Sequence, residues 1–308
     1  MPELPEAERA RTTIERGALL RRIVGVDDGD SYVCRPHAPG EIADALVGRE
    51  LTAAHRRGKA MWVETSGDGP VLGLHLGMAG RIAIDEEPAP RGWDRFVVHF
   101  EDGGRLALRD KRRLGRARLE PDLAALGPDA AEIGRDEFRA RVGRGTAPLK
   151  VRLMDQAVVA GVGNLLADEI LWRARLDPRR PAGGLSTEEL DRMRRELRAA
   201  TRSALRRGGA HTGEVIAARR PGGICTRCGA PMRHGTIGGR SVPGVASPNT
   251  TGDQESRETC ANFRGAPRPV AVGAAPRWRS APTPARPAPA AARAPRSGRS
   301  GWCSPGRG

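Results

Sequence analysis

Between Arg22 and Leu108 the chain is cut into short apolar runs that no long helix can absorb, and this limits the folds open to its first half. The runs are Arg22 to Val26, Met61 to Glu64, Val71 to Leu76, Arg81 to Ile84, Phe96 to Phe100 and Arg105 to Leu108. Gly, Asp and Pro clusters separate them, as at Ser66-Gly67-Asp68-Gly69-Pro70 and Glu101-Asp102-Gly103-Gly104. Segments this short, punctuated by turn residues, predict antiparallel strands in a sandwich or barrel. One helix precedes them. Pro2 and Pro5 sit where a first turn tolerates proline, and Glu6, Glu8 and Glu15 alternate with Arg9, Arg11 and Arg16.

From about Asp129 to Gly209 the pattern becomes helical. Leu190, Met193, Leu197, Ala200 and Ala204 recur at helical spacing. Ser186 and Glu189 form a capping box ahead of them, and Gly208-Gly209 closes the element. Earlier, Gly161-Val162-Gly163-Asn164 separates two helical patterns; Asn164 is the expected N-cap, and the amides behind it are expected to take a phosphate. Beyond Ser241 ten Arg face one Asp and two Glu in a Pro- and Ala-rich stretch, too poor in apolar surface to fold. The expectation is an α+β chain. Residues 1–126 form a β-sandwich domain with a leading helix, 127–210 a helical domain, 211–241 a small finger-like piece, and 242–308 a disordered tail.

Lys plus Arg outnumber Asp plus Glu by 52 to 37, a net charge of +15, which points to a polyanion as partner or to a solvated basic surface. Nearly all the basic residues are arginine, so Lys59, Lys111 and Lys150 stand out. Five cysteines are too few and too scattered for a disulfide framework. Neither a signal peptide nor an apolar run of about 18 residues is visible, which places the expected chain in the reducing cytoplasm.

The start, Met1-Pro2-Glu3-Leu4-Pro5-Glu6, carries the clearest chemistry. Trimming of Met1 would expose a secondary amine with an unperturbed pKa near 8, far below that of lysine. At a helix N-terminus its charged form is further disfavoured. A neutral amine attacks electrophilic carbon and leaves an iminium, and Glu3 supplies a carboxyl group beside it.

Further motifs accumulate in order: His55-Arg56-Arg57-Gly58-Lys59, His75-Leu76-Gly77-Met78-Ala79-Gly80, Asp110-Lys111-Arg112-Arg113-Leu114-Gly115, and Leu153-Met154-Asp155-Gln156 through Asn164 to Asp168-Glu169. With these the chain resembles the formamidopyrimidine-DNA glycosylase/endonuclease VIII family over most of residues 1–241, and Leu4 places it on the formamidopyrimidine side. The resemblance implies a helix-two-turns-helix module and a role for each site. Pro2 would be the nucleophile on C1′, Glu3 the acid for the sugar ring oxygen, and Glu6 a support for the first turn and the lesion. Lys59 would pair with a phosphate at the lesion. Met78, Arg112 and Leu114 would fill and bridge the hole left by an extruded base; the family normally has phenylalanine where Leu114 stands. Lys150 and Asn164 would contact phosphate, and Arg240, at the tip Gly238-Gly239-Arg240-Ser241, would enter the minor groove.

The resemblance also implies a zinc ion held by two Cys-x-x-Cys pairs. Cys225 and Cys228 supply a half site, and no second pair follows within the family's spacing. Either the coding frame changes after Ser241 or the chain has a zinc-less finger; the abrupt change in composition favours the first. The irregular set of His234 and Cys260 is a poor completion of the site. The expected activity is excision of oxidised purines with strand cleavage by β- and δ-elimination, by a monomer acting on damaged double-stranded DNA near the nucleoid and away from membranes. An endonuclease VIII-like preference for oxidised pyrimidines, a non-catalytic binder of damaged DNA and a generic basic nucleoid protein are the alternatives.

Overall fold

In the computed structural model, residues 2–244 are described. They open with α1 (Leu4–Gly17), whose Ala7, Ala10 and Ile14 are buried against the strands that follow. β1 (Ile23–Asp27), β5 (Arg81–Ile84), β6 (Asp94–Phe100) and β7 (Arg105–Arg109) make one antiparallel sheet in the order β1-β6-β7-β5. β2 (Leu51–Arg57), β3 (Ala60–Thr65), β4 (Leu72–His75) and β8 (Arg116–Leu119) make a second, in the order β2-β3-β4-β8. Alternation does the work: Phe96, Val98 and Phe100 of the first sheet share one core with Met61, Val63, Leu72 and Leu74 of the second.

The six apolar runs all fall on strands. A short helix, α2 (Glu41–Leu46), was not foreseen. Its start is capped from a distance by Asp28, whose carboxylate accepts from Gly40, Ile42 and Ala43 amides. A cap twelve or more residues upstream leaves no local signature.

The second core is helical. α3 (Arg135–Val142), α4 (Leu149–Met154), α5 (Asn164–Ala174) and α6 (Thr187–Arg207) pool Phe138, Leu149, Leu153, Ile170, Leu190 and Leu197. The Ser186/Glu189 capping box and the left-handed Gly208 bound α6 as its sequence requires. Leu4, from the first turn of α1, belongs to this core and not to the sandwich core. Past α6, β9 (Arg233–Ile237) and β10 (Arg240–Gly244) pair as a hairpin. The strand therefore runs to Gly244, three residues into the stretch expected to be disordered; residues 245–308, the rest of that expected tail, lie outside the described residues. None of the described helices is long and apolar enough to cross a membrane.

Candidate active site and DNA-facing loops

Glu3 is the most constrained residue near the start of the chain. Its side chain is fully buried, and its carboxylate accepts from the amides of Gly163 (2.9 Å), Leu165 (2.7 Å) and Leu166 (3.0 Å). Those amides open α5, so the positive end of that helix is filled from inside the protein. This corrects two expectations. The anion at the turn is Glu3 and not a phosphate, and the N-cap is Gly163, with Asn164 the first helical residue. Only glycine fits at 163, because a Cβ there would lie 2.3 Å from the Glu3 carboxyl carbon. Burial pushes the Glu3 pKa above its ordinary 4.5, against the amides of Leu165 and Leu166 and the charge of Lys59.

Glu6 closes the first turn. One of its oxygens accepts from the Glu3 amide at 2.9 Å and the other from Ala210 at 2.8 Å. Pro2 is half-buried one residue before this knot. Lys59, on the turn between β2 and β3, donates to Val162 O at 2.9 Å, which places it on the same 161–163 turn that holds Glu3. Burial lowers its pKa, Glu3 raises it, and Arg240 lowers it again. Asp129 fixes that turn by accepting from the Gly58 amide at 2.7 Å and by pairing with Arg56.

The two expected wedge loops abut. Gly77, with φ +59, brings its Cα so near Leu114 that a Cβ would sit 2.3 Å from that residue's carbonyl carbon. Met78 and Leu114 are half-buried, outside both main cores, and Arg112 is exposed. Asp110 holds the second loop: its buried carboxylate accepts from the amides of Arg112 (2.9 Å), Leu114 (2.7 Å) and Gly115 (2.7 Å). His75 Nδ1 accepts from Gly77 N at 3.0 Å, and burial lowers its pKa, so the neutral ring carries its proton on Nε2.

Pro2, the caged carboxyl of Glu3 beside it and Lys59 thus meet around the 161–163 turn, and the two loop tips abut one another. Residues 1–117 match the formamidopyrimidine-DNA glycosylase N-terminal domain, and residues 125–215 match the H2TH domain of the same enzymes. A formamidopyrimidine-DNA glycosylase from Nocardioides sp. is 35% identical over 271 residues, covering 78% of this chain and 92% of its own length. The chain belongs to the formamidopyrimidine-DNA glycosylase family. A relative in the same family from Roseiflexus sp. is also 35% identical, over 75% of this chain and 93% of its own. Among solved structures, a complex between the Lactococcus lactis Fpg and abasic-site DNA aligns with a TM-score of 0.70 at 25% identity, over 78% of this chain and 96% of that one. A MutM complex with DNA containing carbocyclic 8-oxo-G aligns equally well, with 97% of that chain covered.

Against the glycosylase pattern, several residues settle differently from expectation. Lys150 does not face solvent: it is fully buried, with Nζ 2.7 Å from Asp168, whose other oxygen is 3.0 Å from Arg219 Nε. A buried lysine so committed braces α4 against α5 and is not a surface phosphate contact. Asn164 is half-buried, and its buried Oδ1 has no partner among the described residues; exchanging amide oxygen and nitrogen would present an NH₂ donor there. Arg240 is exposed at the start of β10, behind a Gly238-Gly239 turn with both φ values positive, the type the hairpin needs.

Cys225 and Cys228 sit on a knuckle closed by Cys225 N to Ala230 O and Gly229 N to Cys225 O. Burial pushes the Cys225 thiol up, but donation from Trp172 Nε1 at 3.4 Å, the Arg227 and Cys228 amides and the Cys228 thiol bring it down to about 7. Among the described residues no third His, Cys, Asp or Glu joins them. Cys260 and Cys303 lie outside the described residues.

Sequence reasoning missed Asp110, Asp129 and the anchoring of residues 210–219. That segment is tied to Glu6 through Ala210 N, to Glu169 through Val215 N at 3.0 Å, and to Asp168 through Arg219. Asp110 opens the Asp110-Lys111-Arg112-Arg113-Leu114-Gly115 segment, and its place as first residue of a Gly-terminated turn is the available signal. Asp129 pairs across 71 residues with Gly58, which no local pattern reveals.

Proposed function

We propose that this chain is a base-excision DNA glycosylase with lyase activity on damaged duplex DNA. Pro2, with Met1 removed, is the nucleophile. Its nitrogen bonds to C1′, the C1′–base bond breaks, and the base leaves with a proton. Glu3 gives its proton to the ring oxygen, the sugar opens, and an iminium joins Pro2 to C1′. Loss of the C2′ proton expels the 3′ phosphate, a second elimination expels the 5′ phosphate, and water releases the amine. The raised pKa of Glu3 suits an acid that must still hold its proton above the usual carboxylate range. Met78 and Leu114 fill the vacated stack, while Arg112 hydrogen-bonds the orphaned base. Lys59, Asn164 and Arg240 take phosphates. The exposure of Arg112 and Arg240, and the half-buried positions of Met78 and Leu114 outside both cores, favour those roles.

The observation that carries this reading is the cage around Glu3, which fixes the neighbouring amine to within one residue of an immobile carboxyl group. Oxidised purines, 8-oxoguanine and formamidopyrimidines, are the proposed substrates, on the strength of relatives that bear the formamidopyrimidine name. A second preference, for oxidised pyrimidines, is kept because a Lactococcus lactis relative is solved with DNA containing an oxidised pyrimidine. Borohydride added to the protein and abasic-site duplex should trap a covalent adduct, and the Pro2→Gly variant should lose it. Mass spectrometry of active material that still carries Met1 would sink the mechanism. Tight binding without trapping would identify a non-catalytic binder, and excision assays on both lesion classes rank the substrates.

A further inference from the structure

One cluster of charge lies outside the site described above. Tyr32 is 45% exposed in the segment between β1 and α2, and three guanidinium groups gather on its ring: Arg35 at 4.0 Å from the centroid, Arg116 at 5.1 Å and Arg113 at 5.9 Å. Three cations collected by one half-exposed ring repel one another, and the ring quadrupole offsets only part of that cost. Asp30 neutralises one of them, pairing with Arg113 at 2.7 Å. Arg35 and Arg116 donate to the carbonyls of Tyr32 and Gly115, and among the described residues neither has a carboxylate partner. Such an assembly is poised for an oxyanion that can accept from several guanidinium N–H groups at once.

Its place in the fold names the anion. Arg113 directly follows Arg112 on the loop held by Asp110, and its positive φ of +54 turns its side chain away to Asp30. Val33 O accepts from Ala117 N, so the Tyr32 segment is bonded to the strand that leaves this loop. If Arg112 meets the orphaned base, the backbone beside that base passes this patch.

We propose that Arg35 and Arg116, gathered by Tyr32 beside the Asp30-bound Arg113, clamp the phosphodiester backbone of the undamaged strand opposite the lesion. The inference rests on the functional reading above and adds a strand-specific contact to it. It is tested by fluorescence anisotropy with the full chain and a duplex containing a tetrahydrofuran abasic analogue, across a salt series. Arg35→Gln should weaken binding several-fold and flatten the log Kd against log salt slope by about 0.9. Tyr32→Ala should weaken binding about fivefold or more, whereas Tyr32→Phe, which keeps the ring, should match the parent. Neutral methylphosphonate links placed in the undamaged strand opposite the lesion should erase the Arg35→Gln penalty, and the same links in the lesion strand should leave it intact. Unchanged slopes in Arg35→Gln, or a penalty erased from the lesion strand instead, would overturn the proposal. Binding is read without chemistry, so a failure to trap Pro2 would defeat the catalytic reading alone.

Discussion

The seat of Glu3 and the paired loops bearing Met78, Arg112 and Leu114 use the same device for opposite ends. In both, a buried carboxylate gathers three backbone amides: Glu3 at the start of α5, Asp110 at the wedge loop. At Glu3 the gathering carboxylate is itself the proposed acid, and its neighbours leave it no freedom. At the loops the carboxylate fixes only backbone, and the side chains that would meet DNA stay exposed or half-buried. Chemistry needs one geometry held in advance; recognition of a distorted duplex needs a rigid frame with side chains still unspent.

The comparison breaks most easily at Glu3. Glu3→Gln keeps the volume and removes the acid, so single-turnover excision should fall by about a hundredfold or more while affinity for an abasic analogue stays within about threefold. An equal loss of both would make Glu3 a structural cap only. Gly163→Ala attacks the same cage sterically; chemical denaturation should show a loss of about 3 kcal/mol, since the buried Glu3 side chain that the new Cβ would meet is already held by three amides. Next comes Asp110→Ala, expected to cost about 2 kcal/mol by orphaning buried amides and to weaken lesion binding through a loosened loop. Arg112→Ala should leave stability within about 0.5 kcal/mol and weaken binding about tenfold. If Arg112→Ala proved as destabilising as Asp110→Ala, the division between frame and unspent side chain would fail.

A smaller effect sharpens the electrostatic side. Glu3 has a folded pKa raised above 4.5 by burial, so its proton stabilises the fold fully below 4.5, and that stabilisation is lost as pH rises through the folded value. Melting of Glu3→Gln compared with the parent should therefore shift in favour of the variant as pH is raised from 4 toward neutrality. A shift in the other direction would mean that the α5 amides outweigh burial.

Much of this was legible in the sequence, and the failures have a common cause. The six strand runs, the α6 capping box and its buried ladder are local patterns, and they were read correctly. The 161–164 turn was also found, but its occupant was misassigned, because a free helix N-terminus and one filled by a residue 160 positions away look identical in sequence. Lys150 failed for the same reason: its rarity drew attention, while its partner Asp168 lies 18 residues on, across a helix pair. Asp28, Asp110 and Asp129 act on backbone amides, and a carboxylate doing that work carries no pattern beyond being an aspartate.

Leu4 packs in the helical core while the next turns of its helix line the sandwich. The amine two residues earlier is therefore aligned only after the helical half of the polypeptide has closed around it. An unfinished chain already holds Pro2 and Glu3 side by side, but until Gly163, Leu165 and Leu166 have folded there are no amides to fix that carboxyl in place.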